Sequence, residues 1–90
     1  MTNQLRTAER ILKALANSRR LMIIRHLRNT QGSSVGNIAD SIKLSFKATS
    51  KHLTILTAVD ITEKKQVSTV MQYSLQSPMH PVVKTTLASL

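Results

Sequence analysis

Cysteine is absent from this 90-residue chain, and so is tryptophan. Without a thiol there is no disulfide, thiolate metal site, redox switch or cysteine nucleophile, which fits a reducing compartment. A chain this short makes one domain whose core is marginal by itself, and sharing core with a second copy is one remedy. Aromatic residues are reduced to Phe46 and Tyr73, too few for the stacking platforms that hold single strands of nucleic acid. Glycine and proline occur twice each, which, with abundant Leu, Ile and Ala, points to a mainly helical fold. The longest apolar run, Leu21–Ile24, falls far short of the ~20 residues of a spanning helix. Arg6, Glu9 and Arg10 stand where a signal peptide would place its apolar stretch. No membrane partner is expected, and a cytoplasmic location is.

Acids are also scarce. Glu9, Asp40, Asp60 and Glu63 are the only four; they fall on different elements, and no nucleophile–base pair or phosphate loop accompanies them, so an enzyme is not expected. Against them stand 13 Lys and Arg, for a formal net charge of +9. Charge of one sign serves solubility in many domains, but this much on so short a chain favours a polyanionic partner, with nucleic acid ahead of a membrane face.

Periodicity predicts five helices and one hairpin. Leu5, Ala8, Leu12 and Leu15 recur at helical spacing over residues 3–16. Asn17-Ser18 offers a break and a cap before a second helix over 19–28, striped by Leu21, Ile24 and Leu27. A turn containing Gly32 follows. Ser34 can cap a short helix over 35–42, with Val35, Ile38, Ala39 and Ile42 inward. Ser45 can cap another over 46–58, with Ala48, Thr49, Leu53 and Leu56 inward and Lys47, Ser50, Lys51 and Thr54 on a separate polar face. Alternation from Thr69 to Leu75, broken at Val70, indicates a strand; Ile61–Gln66 is its partner, with a tip near Val67-Ser68. Pro81 suits the first turn of a closing helix striped by Val83, Leu87 and Leu90.

Two short helices joined by a tight turn, Val35–Ile42 and Phe46–Ala58, have the form of a helix-turn-helix, whose second helix enters the major groove of DNA. Lys47 and Lys51 can contact phosphate or guanine, and Ser50 and Thr54 can hydrogen-bond to phosphates or bases. The N–H groups left uncapped at the helix start attract a phosphate by themselves. No acid lies between Ser41 and Val59. Phe46 can touch a thymine methyl or fold back as a core contact, the simpler expectation. Lys64 and Lys65 belong either to a DNA-contacting wing with Ser68 or to a solvated edge strand whose lysines block aggregation.

The segments LKALANSRRLMIIRHL, SVGNIADSIKLSFKATSKHLTIL and AVDITEKKQVSTVMQYSL, spanning Leu12 to Leu75, resemble the ArsR/SmtB family of winged-helix repressors. The resemblance implies a mainly α fold with a small β-hairpin: a winged helix-turn-helix of five helices and a two-stranded wing, filling residues 1–90 as a single DNA-binding domain. It implies a homodimer whose terminal helices, 3–16 and 81–90, form the interface through Leu5, Ala8, Leu12, Val83, Leu87 and Leu90. It further implies a pseudo-palindromic operator in double-stranded DNA, probed by two symmetry-related recognition helices, and a nucleoid-associated repressor. Ser45, Lys47, Ser50, Lys51, His52 and Thr54 of the recognition helix and Lys64, Lys65 and Ser68 of the wing are the DNA-contact candidates. Arg20, which matches a family arginine, either binds a phosphate or anchors its helix to a neighbouring carbonyl or acid.

The chain departs from the family in two respects. Asp60 and Ser68 stand where the family often has Gly, before the hairpin and at its tip. The positions of the family's metal-site cysteines hold Ser34 and Gly36, and near the closing helix only His80 could ligate, too few ligands for zinc even across a dimer. His26 reads as a surface or partly buried residue, and His52 as a helix-edge or DNA contact. No metal or other cofactor is expected; a small-molecule effector of unknown identity is left open. The competing expectation is a winged helix that binds protein or structured RNA without reading an operator.

Overall fold

The computed structural model describes residues 2–90. The elements are α1 (Asn3–Leu15), α2 (Ser18–Arg28), β1 (Ser33–Ser34), α3 (Val35–Ile42), α4 (Phe46–Ala58), β2 (Thr62–Val67), β3 (Val70–Leu75) and α5 (Pro81–Ala88). This is the mainly helical winged helix-turn-helix that the sequence implies, except that its antiparallel sheet has three strands, in the order β1-β3-β2, rather than two. The added strand pairs Ser33 with Tyr73 and Ser34 with Gln72. Two serines carry no alternation of their own, so only the neighbouring β3 makes them a strand. The hairpin register ends on Val67 opposite Val70, which moves the tip one residue on, to Ser68-Thr69.

Each helix starts where a side chain can accept from the N–H groups that a first turn leaves unpaired. Thr2, Asn17, Ser34 and Ser45 accept from the N–H groups of Leu5, Arg20, Asn37 and Ala48, each at 3.1 Å. His80 does the same through Nδ1 for Val82, ahead of Pro81 in the first helical turn. Behind the caps, Ile23, Ile24 and Leu27 of α2 meet Ile38 and Ile42 of α3, Leu53 and Leu56 of α4, Ile61 and Tyr73 in one core. Each such Leu or Ile contributes about 1.5–3 kcal/mol by leaving water.

The terminal helices enclose this core differently from the single stripes expected of them. In α1 the buried side chains are Ile11, Ala14 and Leu15, whereas Leu5 and Leu12 are 59% and 54% exposed and Ala8 is half-buried. The helix therefore has two apolar faces, one in the core and one open. In α5, Val83 and Leu87 are 1% and 3% exposed, buried in the protomer's own core. Spent inside, these two have little area left to offer a partner; Leu5 and Leu12 of α1, and Leu90 just after α5, carry open apolar surface.

With acids so few, the arginines of α2 find their acceptors in backbone carbonyls. Arg20 Nε donates to the carbonyl of Ala14 near the end of α1, Arg19 Nη1 to that of Ile42 at the end of α3 (2.9 Å), and Arg28 Nη1 to that of Leu87 in the last turn of α5 (2.6 Å). The final carbonyls of a helix lack intrahelical donors and form the negative end of its dipole. A guanidinium there supplies both the donor and the counter-charge. One helix thus ties down the C-terminal turns of three others, and part of the chain's positive charge belongs to the fold.

Three residues with a Cβ have left-handed backbone: Lys43 (φ 55°), Asp60 (φ 58°) and Ser68 (φ 58°). They end α3, link α4 to β2, and open the wing tip. This conformation costs a side-chain-bearing residue about 1–2 kcal/mol. The wing therefore keeps the backbone shape that glycine would serve, even though Asp60 and Ser68 occupy those places.

Candidate nucleic-acid interface

The helix-turn-helix is rigid on one side and open on the other. After α3, Lys43 turns the chain in its left-handed conformation, and the N–H of Leu44 reaches back to the carbonyl of Ala39 at 3.0 Å. Arg19, bonded to Ile42 just before this turn, holds it from below. Inside α4, Thr49, Leu53 and Leu56 are fully buried, and the Thr49 hydroxyl donates to the Ser45 carbonyl at 2.8 Å. Turning the helix by 100° per residue from that buried line brings Lys47, Lys51 and Thr54 to the opposite side, and all three are exposed. Among the described residues the one ion pair is Lys13 with Glu9 at 4.0 Å, so Lys47 and Lys51 carry no acidic partner.

The hydroxyls of the site are partly committed. Ser45 Oγ accepts from Ala48 N–H, which leaves its proton for a ligand. Thr54 donates its proton to the Ser50 carbonyl at 3.0 Å, so toward any ligand it can act only as an acceptor, as for an amino group. Ser50 is half-buried on the flank. His52 is half-buried on the other flank, its Nδ1 3.3 Å from Arg20 Nη1. Burial and, after it, the charges of Arg20 and Arg19 push its pKa below the ordinary histidine value.

Arg20 is an anchor: it holds the Ala14 carbonyl and His52. Phe46 is 63% exposed, which overturns the expected core contact. It opens the first turn of α4, straight after the Lys43–Ser45 turn, and no neighbouring element covers it. Lys43, absent from the candidates drawn from the sequence, is exposed in that same turn and adds a cation on the approach to α4; its charge between the two helices was the available signal.

In the wing, Lys64 pairs with Tyr73 and Lys65 with Gln72. Successive strand residues face opposite sides, so the two lysines diverge rather than act together. Lys65 borders a surface groove with Glu63, Gln72 and Arg28. Gln66 Nε2 donates to the Ser68 carbonyl at 3.3 Å and braces the tip.

The remaining histidines have structural partners. His26 lies 3.3 Å from Ser33 Oγ and 3.1 Å from Ser41 Oγ, between β1 and α3, and His80 caps α5. Among the described residues no three His, Cys, Asp or Glu side chains come together as a metal site, and no helix is long and apolar enough to cross a membrane.

No protein-family model and no curated protein matches the chain. Solved structures do. HlyU from Vibrio cholerae N16961 superposes with a TM-score of 0.83 at 30% identity, over 99% of this chain and 92% of that one. The transcriptional regulator HlyU from Vibrio vulnificus CMCP6 gives 0.77 at 32% identity, over 96% and 85%. The homodimeric winged helix-turn-helix DNA-binding domain of Mb0332 from Mycobacterium bovis, a possible ArsR-family regulator, shares the fold at a TM-score of 0.85 and 24% identity, over 99% and 83%. Fold, motif order and these likenesses agree: the chain belongs to the ArsR/SmtB family of winged helix-turn-helix transcriptional regulators.

Proposed function

We propose that this protein binds double-stranded DNA sequence-specifically as a homodimer, recognises a pseudo-palindromic operator, and acts in the cytoplasm as a repressor. One observation carries the reading. The helix-turn-helix is packed from beneath, and its second helix turns Lys47, Lys51 and Thr54 outward with no acid to neutralise the lysines. Phosphates supply the missing counter-charge, and the shape of a buried-backed helix suits the major groove.

Lys43, Lys47 and Lys51 fix the helix on the backbone. Ser45, Ser50 and Thr54 contact base edges or phosphates, and exposed Phe46 meets a thymine methyl. One of Lys64 and Lys65, with Ser68, follows the flanking phosphates. The open stripe Leu5, Ala8 and Leu12, joined by Leu90, covers the same stripe of a second copy and sets the two recognition helices one duplex turn apart. In this homodimer the terminal helices 3–16 and 81–90 meet through those exposed side chains, while Val83 and Leu87 stay in each protomer's own core.

Selection from a random duplex pool tests the whole reading. The expected product is a two-fold related motif with half-sites about 10 base pairs apart, centre to centre. Recovery of no motif, or of a motif without symmetry, refutes it.

A further inference from the structure

The contact between Arg20 and His52 has a chemical direction. Nη1 of Arg20 lies 3.3 Å from Nδ1 of His52. A guanidinium offers donors only and stays charged, so Nδ1 must accept and carries no proton. The ring is then neutral, with its one proton on Nε2. The surroundings favour this state: Arg20 and Arg19 act on the ring from α2, and Lys51 adjoins it on α4. On α1, Arg10 and Lys13 line a shallow depression shared with Arg20, Lys13 being paired with Glu9. A proton added to His52 would be half-buried and would face the charges of Arg20 and Arg19.

The other ring nitrogen is open. Nε2 has no hydrogen-bond partner among the described residues, and no side-chain polar atom there is both buried and unpartnered. Nε2–H is therefore accessible, on the recognition helix, one residue after Lys51. Arg20 cannot readily swing away, because its Nε is held by the Ala14 carbonyl.

On the reading that α4 docks on a duplex, we infer that Arg20 is a positioning residue that fixes His52 as an uncharged, directional Nε2–H donor to an acceptor on the DNA. The acceptor is a base-edge atom, such as guanine N7 or O6 or thymine O4, or a phosphate oxygen. His52 thereby does something its lysine neighbour cannot: it offers one donor of fixed direction with no net charge.

The test uses the full chain. In the free protein labelled with 15N-histidine, NMR should find His52 neutral at pH 7, protonated on Nε2 only. Arg20→Lys should turn it into a tautomer mixture with a higher pKa while leaving the helical circular dichroism unchanged. Binding is then measured to the duplex recovered by selection and to a scrambled duplex of the same length. His52→Asn, whose amide cannot reach the Nε2 position, should lose roughly five- to tenfold in affinity per contact, the low end for a base contact, and about 25- to 100-fold in a dimer that makes two. His52→Gln, whose amide can, should keep most of it. Loss on the selected duplex alone identifies a base edge, and equal loss on both identifies a phosphate. A proton on Nδ1, a charged ring at neutral pH, or His52→Asn binding both duplexes as the wild type does overturns the inference. A wild type that does not discriminate the two duplexes counts against the operator, whereas the tautomer and the phosphate contact are decided independently of it.

Discussion

Removing a positive charge should have opposite consequences in two parts of this molecule. Arg28 donates to the Leu87 carbonyl at 2.6 Å and ties α2 to the last turn of α5. Hydrogen bonds involving a charged group contribute about 1.5–3 kcal/mol. The Arg28 side chain is partly in water, so Arg28→Gln should cost about 1–2 kcal/mol. At ~4–8 °C per kcal/mol for a domain of this size, the melting temperature falls by about 5–15 °C. Its contribution to the salt dependence of DNA binding should be small, because its charge is used on a helix end. Lys47→Ala with Lys51→Ala should do the reverse. Both side chains are exposed and make no ion pair, so stability should change little. Each lost phosphate contact removes about 0.9 from the slope of log K against log salt. Two per protomer, doubled in a dimer, remove about 3.6 if all four are made. Calorimetric melting and binding titrations at several salt concentrations read the two quantities separately. If Arg28→Gln flattens the salt dependence at unchanged stability, or the lysine pair melts the protein without altering the slope, the division into structural and DNA-facing cations is wrong.

Four further outcomes follow from particular residues. Leu12→Asp, at a position 54% exposed in the protomer, should give a folded monomer in sedimentation, whereas Leu87→Asp should abolish the folded circular dichroism; a fully dimeric Leu12→Asp removes the α1 surface from the interface. Lys64→Ala and Lys65→Ala, on opposite faces of β2, should change the salt slope unequally, and equal effects would contradict the wing geometry. Ser68→Gly relieves a left-handed residue at φ 58° and should raise stability by up to about 1 kcal/mol, measured by urea unfolding; a loss of stability would show the tip is unstrained. His52 has its pKa lowered, first by burial and then by Arg20 and Arg19. The unfolded chain takes up that proton at higher pH than the folded one. Stability linked to His52 is therefore complete above pH 6.5, the ordinary histidine value, and is lost as pH falls below it. In His52→Gln the corresponding part of the pH dependence should vanish.

Several features were legible in the chain because they are local. Ser34 and Ser45 mark the starts of α3 and α4, since a short polar side chain such as serine accepts well from the N–H groups of a first turn. Thr49, Leu53 and Leu56 repeat at the spacing that buries one helix face and thereby sends Lys47 and Lys51 to the other. The family resemblance rested on these same stretches. Other features were hidden because they join residues far apart. Nothing in Ser33-Ser34 indicates a strand until β3 lies beside it. Leu12 and Leu15 look equivalent along α1, yet one is exposed and the other buried, because packing selects which of two apolar faces meets α2 and α5.

What the sequence determined alone is where helices begin, which face of α4 is apolar, and how much positive charge the chain carries. Those depend on neighbours within a few residues or on composition. The tertiary structure decided what each charge and apolar side chain is used for. Arg19, Arg20 and Arg28 look as free as Lys47 until the carbonyl ends of α3, α1 and α5 are brought to them. Val83 and Leu87 look as available as Leu5 until the core closes over them. Hydrogen bonds and burial act over a few ångströms in space, and only the fold sets which residues lie that close.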